Sequence, residues 1–481
     1  MVDGPGPASG TRRLTRRRTL ERAASGALAT GLLAAGPGGR VAAASPQARG
    51  GAVQVVFMPN NQGVGWNRTT LALYQDFVDS TFNASTPGIR AVVYPGGPGN
   101  VQAQVIASAA GSGYADIYEG CCNDISTLQT GGWILPLDPY LKQDNVSTSL
   151  WSPGHVAALT TGNSLFGLPS YDGPGVIAYR QDILDALGLA YPDPSWTAAE
   201  AAALWQSCTT KVSGQKVQGV AVIFDEASTT WQYWLKGWGG EVMNAAHDRC
   251  TADSAAGVAA LGYLAGLATA GVMQSGSGVS SLASGSLAFS MCGGWQVVDM
   301  ATQLGTKYKW DILPVPTWPA GKATFGNIDF YALSSVTRHV AEAWQVLQWL
   351  TAEPAWQRFQ MKSTLVEPCL LSLWDEWQAT VVAAAPPLRG KALQWYKDAA
   401  LGYAYGTLHF AYAPLQAAAI ADAALDGIFA GKVTPQVGLG QIQTQVNALE
   451  AVAAQEQAAG TALQKRFPTT GPAIAAVPNG I

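Results

Sequence analysis

Short apolar runs alternate with helical periodicities from residue 53 onward, and this alternation restricts the architecture more than any other feature. Val53 to Met58 is an apolar strand followed by the polar turn Asn60-Asn61-Gln62-Gly63. Leu71, Tyr74, Phe77, Val78 and Phe82 then recur at helical spacing. Ile89 to Tyr94 reads as a second strand, closed by Pro and Gly at 95–99, and 101–110 as a helix. Asp116-Ile117-Tyr118 begins a third strand. Strand–helix–strand order implies parallel βαβ units. A single core rarely grows beyond about 250–300 residues, so a 481-residue chain of this kind predicts two α/β lobes. Open parallel sheets bind ligands beyond the carboxyl ends of their strands. Here those loops hold Asn60, Asn61 and Gln62, then Glu119, Asn123 and Asp124. The first group is uncharged and suits hydroxyl groups better than ions.

The N-terminus lies outside this pattern. The arginines at 16–18 precede a weakly apolar run, Ala23 to Ala35, and then Ala42-Ala43-Ala44. Charged region, apolar region and small-residue cleavage site make residues 1–44 a signal peptide. The paired arginines point to the twin-arginine route, with ordinary secretion as the alternative because Glu21 fits that pattern poorly. No cysteine near the cleavage site supports a lipid anchor. Cleavage removes seven arginines and two acids, leaving 21 basic and 30 acidic residues, a net charge of −9. That argues against a nucleic-acid partner, which needs clustered Lys and Arg. No apolar run after residue 44 reaches the roughly 20 residues of a membrane span. The six cysteines permit disulfides in an exported chain, and Cys208 and Cys250 fall in one predicted lobe. None has C-x-x-C spacing, which argues against zinc and thioredoxin chemistry; no metal site and no cofactor is expected.

The stretch from Leu165 to Leu189 reads as a strand ending at Pro169, which cannot donate to a ladder. Tyr171 and Asp172 sit in the Gly- and Pro-rich break that follows. Val176 to Tyr179 is a second strand, and Asp182 to Leu187 a helix stopped by Gly188. Further segments occur in order: Trp133 to Tyr140 (WILPLDPY), Trp231 to Gly240 (WQYWLKGWGG), Ser284 to Trp295 (SGSLAFSMCGGW), Trp310 to Pro316 and His339 to Trp349. Together they span most of residues 52–440. Their number and order resemble the bacterial extracellular solute-binding proteins of family 1, the sugar-binding components of ABC transporters. Thr197 and Glu200 form a capping box opening a helix with Leu204 and Trp205.

The resemblance implies a periplasmic-binding-protein-like type II fold: two α/β lobes joined by a multi-segment hinge crossing near residues 172, 314 and 365. The N-terminal lobe is then 52–172 with 315–365, and the C-terminal lobe 173–314 with 366–465. It implies a monomer, exported to the periplasm or outer cell surface, that closes on a saccharide and docks on a membrane permease. The resemblance also places ligand contacts. Trp295, after the Gly-Gly turn, and Trp231, ahead of the Gly-Gly segment, are the cleft aromatics, whereas Trp234 and Trp238 belong to the core. Trp stacks on the C–H face of a sugar ring, and most of the 17 Trp residues are expected in packing roles. Asn123 follows the third strand, and Asp172 offers a carboxylate at the first crossing. Tyr171, Asn327, Asp329, His409 and Tyr412 complete the candidates with Asn60, Asn61 and Glu119.

Two other readings compete. A secreted carbohydrate-active enzyme shares Trp-rich clefts, but a glycosidase needs two carboxylates about 5–10 Å apart across a bond. Asp225-Glu226 and Asp375-Glu376 are adjacent, and the four histidines form no H-E-x-x-H. No G-x-S-x-G elbow occurs. The chain is therefore read as a binding protein, not an enzyme. A non-sugar solute such as glycerol phosphate or a polyamine would want Arg180 or several carboxylates, respectively, in the cleft.

Overall fold

The computed structural model describes residues 51–59, 67–94, 115–121, 124–223, 227–276 and 278–466. The expected signal peptide, Asn60, Asn61, Gln62, Asn123, the helix at 101–110 and the Asp225-Glu226 pair lie outside the described residues.

The first sheet begins with β1 (Val53–Met58), α1 (Arg68–Val78), β2 (Ile89–Val93) and β3 (Ile117–Cys121). Asn67 starts α1 by accepting the Thr70 amide at 2.9 Å. β1 pairs in parallel with β2 and β3, as the alternation predicts. Next come α2 (Asp124–Thr130), α3 (Pro153–Ala158) and β4 (Leu168–Pro174).

β4 corrects the expected boundary. The strand does not end at Pro169; Tyr171 and Asp172 lie inside it, not in a break. Pro169 is tolerated because β4 has one strand partner and the ladder shifts register opposite it.

The second sheet is built from β5 (Val176–Arg180), then α4 (Gln181–Leu187), α5 (Ala198–Cys208), β6 (Gln218–Val222), α6 (Ala227–Gly237), α7 (Ala255–Thr269), β7 (Met273–Ser275), β8 (Leu287–Cys292), α8 (Val297–Leu304) and β9 (Trp310–Leu313). Its strand order is β7-β6-β8-β5-β9, with β5 antiparallel to both neighbours. Gly188 ends α4 in the left-handed region at φ 67°. The Thr197–Glu200 capping box forms, with the Thr197 amide donating to Glu200 Oε2 at 2.7 Å.

The chain then returns. β10 (Thr324–Leu333) is antiparallel to β3 on one side and β4 on the other. It is followed by α9 (Val340–Thr351), α10 (Pro354–Thr364), α11 (Trp374–Ala384), α12 (Gln394–Gly402), β11 (Ala404–Tyr405), α13 (Pro414–Phe429) and α14 (Pro435–Arg466). β11 pairs with the start of β10. α14 carries the helix past Thr461, where the sequence pattern fades.

Among the described residues two segments cross between the sheets. The first is Gly175, between β4 and β5; a Cβ there would lie 2.5 Å from Thr324 Oγ1 and 2.6 Å from the Phe325 ring, so only glycine lets the backbone pass. The second is 314–323, between β9 and β10. After the expected crossing point near Leu365 no strand of the second sheet follows among the described residues: Pro368 bridges to Tyr171 of β4, and the next strand, β11, pairs with β10.

Most tryptophans are indeed core. Trp356 is fully buried, with the rings of Phe57, Tyr74, Trp349 and Phe359 at 5.4–5.6 Å. Its indole N–H donates to the Tyr331 hydroxyl at 3.2 Å. In the second lobe Trp234 is buried against Trp318, and half-buried Trp238 stacks on the same ring. Cys208 and Cys250 are both buried free thiols. Among the described residues no helix is long and apolar enough to cross a membrane.

Candidate functional site at the lobe crossing

The end of β8 delivers Trp295 to the crossing. Gly293 and Gly294 make a tight turn, and the Gly293 amide donates to Gln296 Oε1 at 3.0 Å, which fixes it. The turn leaves the Trp295 ring 40% exposed, with the Phe325 ring of β10 at 5.7 Å. An accessible indole on a braced turn can stack on an apolar ligand face.

Behind that turn lies a buried polar cluster. A Cβ on Gly294 would sit 1.9 Å from Glu367 Oε1, so the backbone of the β8 turn lies directly on this carboxyl. The Tyr171 hydroxyl faces the Trp295 backbone. Asp172 is beside them, with His155 Nε2 of α3 at 3.2 Å from its Oδ1, and both side chains are fully buried. That contact has the distance of an ion pair but lacks the alignment of a hydrogen bond. Burial pushes the Asp172 and Glu367 carboxyls well above their ordinary range and the His155 imidazole down to about 3. All three therefore favour their neutral forms. Burial, reinforced by the Glu367, Asp329 and Asp172 carboxyls, also raises Tyr171.

The carboxylate expected in a turn at the first crossing is instead inside a strand and buried, because the β4–β10 pairing and α3 enclose Asp172. Asp329 faces Tyr171 across the ladder and is buried, while Asn327 faces Gly173 and is half-buried. Glu119 also differs from expectation: it lies within β3, not in the following loop, because pairing with β10 extends that strand to Cys121. It is buried and accepts the Ser170 hydroxyl at 2.5 Å.

Trp231 sits apart from Trp295. It is buried on α6 and lines a narrow slot of about 40 Å³ with Gln232, His409, Phe410 and, from α2 of the first lobe, Ser126. Gln232 holds the 408–410 segment by donating to the Leu408 carbonyl at 2.8 Å and accepting the Leu408 amide at 3.0 Å. His409 is thereby fixed at the slot. Tyr412 is half-buried beyond it, and its amide donates to Glu450 Oε2 at 3.0 Å. The structure thus brings Tyr171, Asp172, Asp329 and the Trp295 turn together at the crossing, and Trp231 with His409 at the slot.

His155, Glu367, Phe325 and Gln232 are not among the residues singled out from sequence. Glu367 had a readable signal: it is a lone charge in the run Leu365-Val366-Glu367-Pro368-Cys369-Leu370. His155 had none beyond its type. The adjacent acids Asp375 and Glu376 are engaged separately, with Lys397 and Arg358, both at 2.8 Å.

Comparison with known proteins accords with this geometry. A family model described as bacterial extracellular solute-binding protein matches residues 65–355. A cyclic alpha-maltosyl-1,6-maltose binding protein from Arthrobacter globiformis is similar in fold, with a TM-score of 0.68 at 19% identity, covering 83% of this chain and 99% of the other. The sugar-binding protein MalE from Xanthomonas citri gives 0.66 at 16% identity, covering 83% and 98%. An ABC substrate-binding protein from Listeria monocytogenes, solved in complex with cycloalternan, gives 0.65 at 16% identity, covering 83% and 99%.

Proposed function

The chain belongs to the bacterial extracellular solute-binding protein family, and on that premise we propose that it is the substrate-binding component of an ABC importer for a sugar or small oligosaccharide. The observation that carries the sugar reading is Trp295: a large aromatic left accessible on a braced turn where the two sheets meet. Ligand would enter from the Trp295 side and draw the lobes together about the crossings, and the closed form would be what the permease recognises. Binding then needs only a difference in affinity between open and closed states, and no chemical step. The similar proteins that bind cyclic maltosyl-maltose or were solved with cycloalternan support the same ligand class.

A thermal-shift screen tests it. A ligand held only by the native state raises the melting temperature, by about 2.7 kcal/mol of added stability at a hundredfold excess over Kd. Linear and cyclic gluco-oligosaccharides are expected to do so, whereas glycerol phosphate and polyamines are not. The bound saccharide is expected back unchanged. A response to a polyamine alone would replace the sugar reading, and cleavage that survives repurification would replace the importer reading.

The proposed export has its own check. N-terminal sequencing of secreted material is expected to begin near Ser45, following the Ala42-Ala43-Ala44 site. Exported protein that still begins at Met1 would refute cleavage.

A further inference from the structure

Gly293 is a glycine that its own backbone does not require. Its φ of −82° and ψ of 165° are extended values open to any residue. A Cβ there would nevertheless lie 1.9 Å from Cζ3, 2.2 Å from Cη2 and 2.3 Å from Cε3 of Trp295. Near-equal approach to three consecutive ring carbons places that Cβ over the face of the indole; an approach to the edge would favour one carbon. One face of the six-membered ring therefore lies on the Gly293 backbone, and Trp295 is still 40% exposed. Phe325 flanks the indole, its centroid at 5.7 Å and its plane turned by 50°. Phe325 is itself wedged, with the Tyr233 ring at 5.9 Å and the Gly175 backbone against its edge. The turn has no room to yield. The buried Glu367 carboxyl fills the Cβ space of Gly294, with Oε1 at 1.9 Å and Oε2 at 2.5 Å, and Gln296 holds the Gly293 amide.

We infer that Gly293 and Phe325 are positioning residues for Trp295: they lay the indole down with one face on the backbone and the other free, so that a ligand ring meets a stacking surface already in place. Neither needs to touch the ligand. Their role in binding rests on Trp295 as the saccharide contact proposed above, whereas the placement of the indole is measured without any saccharide.

Close approach of another group to the backbone is what glycine alone permits. A methyl at position 293 must displace either the turn or the ring. The turn is pinned from behind by Glu367 and at its amide by Gln296, whereas the indole is a surface side chain, so the ring moves. Ordering a side chain on binding costs affinity. An indole already fixed escapes that cost, and one set loose bears it, which amounts to about 2- to 10-fold in Kd.

NMR of the ligand-free protein tests the placement. A proton held over an aromatic face is shifted upfield. The Gly293 Hα signals, identified by their loss in Gly293→Ala, are therefore expected upfield in wild type and at ordinary positions in Trp295→Ala. Identical positions in those two proteins overturn the inference. Calorimetry then tests the role in a double-mutant cycle, with the saccharide found by screening. Gly293→Ala is expected to weaken binding about 2- to 10-fold in the wild-type background and not at all in Trp295→Ala, because its effect passes through the indole. Unchanged affinity in Gly293→Ala overturns the positioning role, as does an equal loss in both backgrounds, which a general distortion of the turn would give. Should circular dichroism show Gly293→Ala unfolded, Phe325→Leu takes its place in the cycle, with the same expectation and the same overturning results. If Trp295→Ala leaves affinity unchanged, or no saccharide binds, the sugar reading of this turn falls, while the Hα positions alone decide whether the indole is held.

Discussion

Trp295→Ala is expected to weaken binding of the saccharide found by screening by about 1–3 kcal/mol, roughly 5- to 150-fold, the range for losing a central aromatic contact. Calorimetry on the purified variant measures it. The fold is expected to survive, because the ring is 40% exposed and its turn is held by Gln296 rather than by the indole. Trp295→Phe keeps a stacking face and is expected to recover part of the loss. Affinity unchanged in Trp295→Ala, with a native circular dichroism spectrum, would move the ligand away from this turn and toward the Trp231 slot.

Trp356→Ala is expected to cost more, about 3–5 kcal/mol of stability, as for other large-to-small changes at buried aromatics. Four rings pack within 5.6 Å of it, and its N–H holds the Tyr331 hydroxyl on β10. Removal leaves a cavity and an orphaned hydroxyl together. Urea unfolding followed by fluorescence is expected to show a transition at lower denaturant, with loss of the first lobe preceding that of the second. A shift below about 1 kcal/mol would mean that neighbouring rings collapse into the gap.

The sequence carries the repeating parts of the fold plainly. Periodicity locates β1, α1 and β2, and local chemistry locates the ends of α4 and α5, because Gly188 and the Thr197–Glu200 box act within a single turn. Partnerships made across long separations are less legible. Whether Pro169 ends a strand depends on β10, whose residues come more than a hundred positions later, and on the register shift that excuses the missing N–H. The same pairing carries Glu119 into β3. The site divides in the same way. Trp295 is marked by its two glycines, whereas the burial of Asp172 follows from α3 and from the β4–β10 pairing, which no short motif announces.

Chain order in the first sheet bears on how the molecule is made. β1, β2 and β3 emerge early, but β10, which pairs β3 to β4, emerges only after residues 176–313 have formed the whole second sheet. An N-terminal fragment ending anywhere in between presents β3 with an unpaired edge and α1 without the α9–α10 layer that supplies Trp349 and Trp356. The first sheet is therefore completed after the second, although its first strands are translated earlier. Such non-local pairing folds slowly and leaves apolar edges open to aggregation meanwhile.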